Sequence, residues 1–285
     1  MAGSYFLKGD IMGEIGKSIQ DLLDEIRKNG EICKKDEGEQ KTDENQFVCK
    51  YCEDKGYYKA IDSLGLPHLK DCPYCFEKRK MALILKKSGI SAGDYAKYTL
   101  DTFDAQRSKN AAKMKNMAVK YLDEHPSGIG FGVFGQSGGG KTHICIALCQ
   151  AITEKYHEEH YYFPYNSQMI KLMKAAQSYH DDYEDIMRGW KSCDNLYIDD
   201  LLKMAARKTI RGKNTYDPNE LYILFDLINA RYLNHKTTFF SSEYSVKDII
   251  NIDEALGSRI FEMINPYGCF IAGNNERINT IRKIS

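Results

Sequence analysis

Gly135-Gln136-Ser137-Gly138-Gly139-Gly140-Lys141-Thr142 satisfies the pattern G-x-x-x-x-G-K-[ST] at every fixed position. The pattern has physical content. Its glycines let the backbone curl around a phosphate chain with the N–H groups turned inward. Lys141 supplies a point charge for the β- and γ-phosphates, and the Thr142 hydroxyl can ligate Mg²⁺. The flanks agree with this reading. Residues 129–134 (IGFGVF) read as a short apolar strand and residues 141–152 as a helix. The loop therefore opens a helix N-terminus, where anions are favoured. A surface turn with a chance Lys-Thr would lack both flanks. The stretch predicts a nucleoside triphosphate site contacted by all eight residues, in an α/β fold.

Downstream, Asn195-Leu196-Tyr197-Ile198-Asp199-Asp200 is an apolar strand ending in two acids. Asp199 suits the Mg²⁺ shell, and Asp200 suits polarising an attacking water. Residues 237–242 (TTFFSS) form a β-rich run followed by Glu243, so Ser242 and Glu243 are candidates for sensing the γ-phosphate. A helix opens at residue 253 and carries Arg259 near its start, where a cation does not suit the positive helix end. That mismatch points to a role outside the helix, such as a neighbour's phosphates. Residues 203–213 (KMAARKTIRGK) are basic and hold no acid. They fit a nucleic-acid backbone and equally a solvated loop.

Upstream, Cys49-x-x-Cys52 and Cys72-Pro73-Tyr74-Cys75 are separated by 19 residues, within the spacing of a structural zinc site. Each C-x-x-C knuckle turns two thiolates toward one point, and two knuckles complete a tetrahedron with no open position. His68 lies near enough in sequence to compete as a ligand. Before this lobe, Ile11, Ile15, Ile19, Leu22, Leu23 and Ile26 make a helical stripe, and residues 31–45 are a polar connector. Such a helix docks either on the body of its own protein or in the groove of a partner.

The remaining pattern predicts helices over 76–87, 111–124, 167–176 and 217–234, strands over 160–163 and 269–273, and a turn-rich stretch over 89–100. Residues 274–285 are too few for a helical lid. Formal net charge is zero across 285 residues, so nucleic-acid contact requires a local patch. No apolar run approaches the roughly 18 residues of a membrane span, and the first ten residues lack a secretory signal. Nine cysteines, an odd number, fit a reducing cytoplasm.

Together the CPYC lobe, YTLDTFD (98–104), GQSGGGKT, LYIDD, INARY (228–232), TTFFSSE and LGSRI resemble replicative helicase loaders of the DnaC/DnaI type, bacterial or phage. These are IstB-like members of the AAA+ ATPases. The resemblance implies a P-loop core with a five-stranded parallel sheet between helices, no lid domain and a small N-terminal zinc-binding domain. It divides the chain into a helix and linker (1–45), a Cys₄ domain (46–80), a connecting segment (81–107) and an ATPase domain (108–285). It implies ATP hydrolysis with Mg²⁺, using Lys141, Asp200 and Glu243, and with Arg259 acting as an arginine finger on a neighbouring copy. Its expected partners are the hexameric replicative helicase, single-stranded DNA and further copies of the chain. Asp200 stands where the family has Glu, and Glu243 where Asn is common, which leaves turnover open. An ATP-switched adaptor with little hydrolysis, or a transposition-type helper ATPase, are the competing readings. A small-molecule kinase fits less well, given the paired acids and the absent lid.

Overall fold

The computed structural model describes residues 49, 51–53, 55–177, 180–203, 208–210 and 213–272. The predicted helix at 11–28, its connector and residues 273–285 lie outside these. Strands β3 (Gly132–Gly135), β4 (His160–Pro164), β5 (Asn195–Asp199), β8 (Thr237–Ser242) and β9 (Gly268–Ile271) form one sheet in the order β4-β5-β8-β3-β9. Every neighbouring pair is parallel. The parallel sheet and the phosphate-loop helix are therefore as the sequence implies.

Parallel strands covered on both faces are apolar throughout, and this sheet sorts its side chains with period two. Val133, Tyr197 and Phe239 enter one buried layer, whereas Phe134, Leu196, Ile198 and Phe240 enter the other. The first layer is closed by α3 (Lys109–Glu124) and α4 (Lys141–Tyr156). Helix α4 is buried almost continuously from Ile144 to Cys149, which explains why its sequence shows no clear amphipathic stripe. The second layer is closed by α5 (Tyr165–Gln177), α6 (His180–Ser192), α7 (Pro218–Leu233) and α9 (Glu254–Ile264).

Local signals start several of these helices. Asp217 accepts from the Asn219 N–H ahead of Pro218 at the first position of α7. Ser245 and Asp248 make a capping box for the short α8 (Val246–Ile252). The stretch read as turn-rich contains a helix, α2 (Ala92–Lys97), because Ser91 caps it and Tyr95 buries beneath it. The preceding α1 (Phe76–Lys87) contributes Leu85 to the same layer as Tyr95 and Phe103.

Arg231, from the INARY tract, is wholly buried. Its guanidinium donates to the carbonyls of Trp190, Cys193, Asp194 and Thr237 and to the Thr238 hydroxyl, tying α7 to the starts of β5 and β8. The charge is solvated by oriented backbone dipoles rather than by a carboxylate.

Before α1 in the chain comes a two-stranded antiparallel hairpin, β1 (Tyr57–Ile61) and β2 (Pro67–Asp71), set between the two cysteine knuckles. A second hairpin, β6 (Lys208–Ile210) and β7 (Lys213–Thr215), occupies part of the basic run. No helix among the described residues is long and apolar enough to cross a membrane.

Candidate functional site

The phosphate loop leaves β3 at Gly135 and enters α4 at Lys141. Gly135 has φ +113°, and a Cβ there would collide with the Ile271 carbonyl. Gly140, the N-cap of α4, has φ +86°. Both positions demand glycine. Lys141 is 6% exposed, and its ammonium donates to the carbonyls of Gly135 and Gln136 at 2.9 Å each. Burial lowers its pKa, opposed by the nearby carboxylates of Glu243 and Asp200.

Asp199 ends β5 inside the sheet, and four hydroxyls converge on it. Thr142 (3.1 Å), Tyr197 (2.5 Å) and Ser241 (2.5 Å) donate to Oδ1, and Tyr162 donates to Oδ2 at 2.9 Å. The Tyr197 phenol is pushed well up, first by burial and then by the Asp199 charge, so it remains a donor. Asp200 turns the chain at φ +55°, and its N–H donates to Ser241 Oγ. Its carboxylate pairs with Lys203 at 3.0 Å, and Lys203 also pairs with Glu243 at 3.2 Å. Burial tends to raise the Glu243 pKa, but the Ser137 hydrogen bond and the Lys203 and Lys141 ammonium groups lower it overall.

Ser137, Gly138, Gly140, Lys141, Thr142, Asp200 and Glu243 line one cavity of about 250 Å³, together with Tyr98, Arg107, His143 and Lys203. Gln136 joins through its carbonyl and Asp199 through Thr142. Arg107 donates to the Gly139 carbonyl at 2.7 Å and lies over the Phe103 ring. A larger hollow of about 770 Å³ lies at the opposite end of the sheet, among Asn195, Thr237 and His235. Ligands of open α/β sheets bind at the carboxyl ends of the strands, which places the chemistry in the smaller cavity.

Arg259 is not among the residues lining this cavity. It sits at mid-helix in α9 rather than near its start, so the helix-dipole argument for an external role does not hold. Its guanidinium donates to Asn229 Oδ1 and the Ala255 carbonyl and stacks on Phe225 and Tyr232.

Sequence reasoning missed Tyr162, Ser241 and Lys203. Tyr162 was detectable only through strand register, since it pairs with Tyr197 two positions before Asp199. Lys203 reads as part of the basic run, yet it belongs to the phosphate-loop cavity.

The sulfurs of Cys49, Cys52, Cys72 and Cys75 all lie within 4.8 Å of one another. Cys49–Cys72 and Cys52–Cys75 are 3.6 and 3.5 Å apart. A tetrahedron with metal–sulfur bonds of ~2.3 Å has edges of roughly 3.8 Å, so the donor set fits Zn²⁺. The Cys52 N–H is the main influence drawing the Cys49 thiol down to about 7, toward the thiolate that a metal requires. His68 stands apart from the cluster, on β2 opposite Ala60.

The sequence model of the bacterial DnaA ATPase domain matches residues 95–265, a span that runs from Tyr95 through the phosphate loop and both strand-end acids. The chain belongs to the bacterial DnaA ATPase-domain family. It is 27% identical over 269 residues to the phage-like element PBSX protein XkdC of Bacillus subtilis, covering 92% of this chain and 96% of XkdC. It spans 33% of the DnaA protein of Deinococcus deserti, with 27% identity over 164 residues. Among solved structures, the DnaC helicase loader superposes with TM-score 0.51 and 22% identity, covering 62% of this chain and 98% of that one. A candidate primosome component of Streptococcus pyogenes gives 0.52 and 19%, covering 68% and 97%. These likenesses are of fold. The chain therefore carries an ATPase domain of the DnaA family in a fold shared with the DnaC helicase loader, the fold that the motifs imply.

Proposed function

We propose that this chain is an ATP-dependent helicase loader, which binds ATP and single-stranded DNA and delivers a replicative helicase during initiation of replication. The observation that carries this reading is the assembly of Lys141, Thr142, Asp199, Asp200 and Glu243 at one strand-end cavity, in a loader-type fold with a separate Cys₄ lobe. Thr142 and Asp199 would hold Mg²⁺, which neutralises phosphate charge and draws electron density from the γ-phosphorus. Lys141 turns from its loop carbonyls to the β- and γ-phosphates. Asp200 orients a water whose oxygen bonds the γ-phosphorus as the β–γ bridge breaks and ADP departs. Arg259 completes the site from a neighbouring copy, released from Asn229 and its aromatic seat. Cys49, Cys52, Cys72 and Cys75 hold Zn²⁺, and the lobe with the residues before it contacts the helicase.

The test combines two readouts on the full chain. Hydrolysis stimulated by single-stranded DNA should vanish in Lys141→Ala. Capture of the host's replicative helicase should be lost when residues 1–80 are removed. Helicase capture that is unaffected by this removal, or DNA-stimulated turnover that survives Lys141→Ala, rejects the reading. A second reading, an ATP switch with slow turnover, is favoured by the engagement of Asp200 with Lys203. It predicts tight ATP binding and helicase capture with little hydrolysis.

A further inference from the structure

We infer that Lys203 reads the γ-phosphate, leaving its carboxylate bridge when ATP binds and so distinguishing ATP from ADP; this rests on the nucleotide site proposed above. The turn after β5 is built to aim this side chain. Asp200 and Leu202 adopt φ values of +55° and +61°, a left-handed conformation that non-glycine residues adopt only at a cost. Leu201 and Leu202 are fully buried, anchoring the turn in the core, and the Lys203 N–H closes it on the Asp200 carbonyl at 2.9 Å. The chain thus doubles back, and Lys203 faces the phosphate loop rather than solvent beyond the strand.

Its ammonium lies between Asp200 and Glu243, on the wall of the cavity that Ser137 and Lys141 also line. Around the loop, the ammonium groups of Lys141 and Lys203 and the guanidinium of Arg107 face the carboxylates of Asp199, Asp200 and Glu243. Without Lys203 the acids would outnumber the cations, which disfavours a triphosphate. An incoming γ-phosphate, more highly charged than either carboxylate, competes for a flexible lysine that remains 37% exposed in its side chain. Transfer of Lys203 to that phosphate frees Asp200 for water. ADP has no γ-phosphate and leaves the bridge intact. Nucleotide state is thereby converted into the position of one side chain on the turn that leads to the β6–β7 hairpin.

The test is affinity for a non-hydrolysable ATP analogue and for ADP, measured by calorimetry on full-length protein. The variants are Lys203→Met, Lys203→Gln and Lys203→Arg, each checked by its melting curve. Met and Gln should weaken the ATP analogue about tenfold and leave ADP within about twofold, while Arg retains the discrimination. Equal losses for both nucleotides, or none, overturn the inference while the nucleotide site stands. Wild-type protein that binds neither nucleotide overturns both. Gln carries the same test if Met fails to fold.

Discussion

Around Cys49, Cys52, Cys72 and Cys75 the tight cluster consists of sulfur atoms, and Ile61, Leu64, Leu66 and Leu69 on the hairpin between them are exposed. The ATPase body does the opposite, burying Phe134, Phe163, Phe240 and Leu224 in one layer and Tyr121, Phe131 and Phe239 in another. Two five-residue strands cannot bury enough apolar surface to offset the entropy of ordering them. On the proposed zinc site, the lobe would draw its folding energy from metal binding, whereas the body draws it from packing. The exposed apolar side chains of the lobe are then free to serve contact, while the buried ones of the body hold the phosphate loop still.

Metal removal should give the largest effect and separate the two regions. Chelation, or Cys72→Ser, should abolish hydrogen-exchange protection across 55–72 and leave the body's protection unchanged. Simultaneous collapse of both would show that the lobe and body share one cooperative unit. The reverse perturbation is Phe240→Ala, which empties a fully buried ring and should cost about 3–5 kcal/mol in urea unfolding. Bound zinc per chain should be unaffected at low denaturant. A loss of zinc alongside stability would break the comparison from the other side.

Smaller changes sharpen the picture within the body. Tyr162→Phe removes one of the four hydroxyls on Asp199 and should raise the Mg²⁺ concentration needed for half-maximal hydrolysis about tenfold. ADP affinity measured without Mg²⁺ should not change. An unaltered Mg²⁺ requirement would show that Thr142, Tyr197 and Ser241 suffice.

A pH-dependent effect is acid sensitivity at His160. This ring is buried between Tyr95 and Thr153, and burial drives its pKa down to about 3. The folded state therefore resists a proton that the unfolded chain accepts below its ordinary pKa of about 6.5. Stability is complete above that pH and falls as pH drops, by up to about 1.4 kcal/mol per unit between 6.5 and 3. His160→Asn should flatten this dependence, read as urea midpoints between pH 7 and 5. An unchanged slope would assign the acid sensitivity to other groups.

The lengths of chain that could be read directly are those whose geometry is local. Gly135–Thr142 declares itself because the backbone turn, the charge and the hydroxyl all fall within one loop and one helical turn. The cysteine knuckles do so because each pair is set by a three-residue spacing. The strand-end acids follow because an apolar run terminating in Asp-Asp has few other uses. Helix α6 is less legible, since among its described side chains Tyr183 and Met187 are the buried ones, with Trp190 packed beside them. The place of Arg259 within its helix was misread for a related reason: it depends on where α9 ends, at Ile264.

Backbone conformation and spacing within short segments made the phosphate loop and the two C-x-x-C pairs legible in the sequence, and the resemblance of the motifs supplied the parallel α/β fold. Only the tertiary structure decided how Asp199 is held and where Lys203 points. Tyr162, Tyr197 and Ser241 reach one carboxylate from three different strands, brought level by the sheet register. Lys203 reaches Glu243 because β5 and β8 lie side by side and end together. Contacts of this kind depend on strand order, which no local pattern encodes.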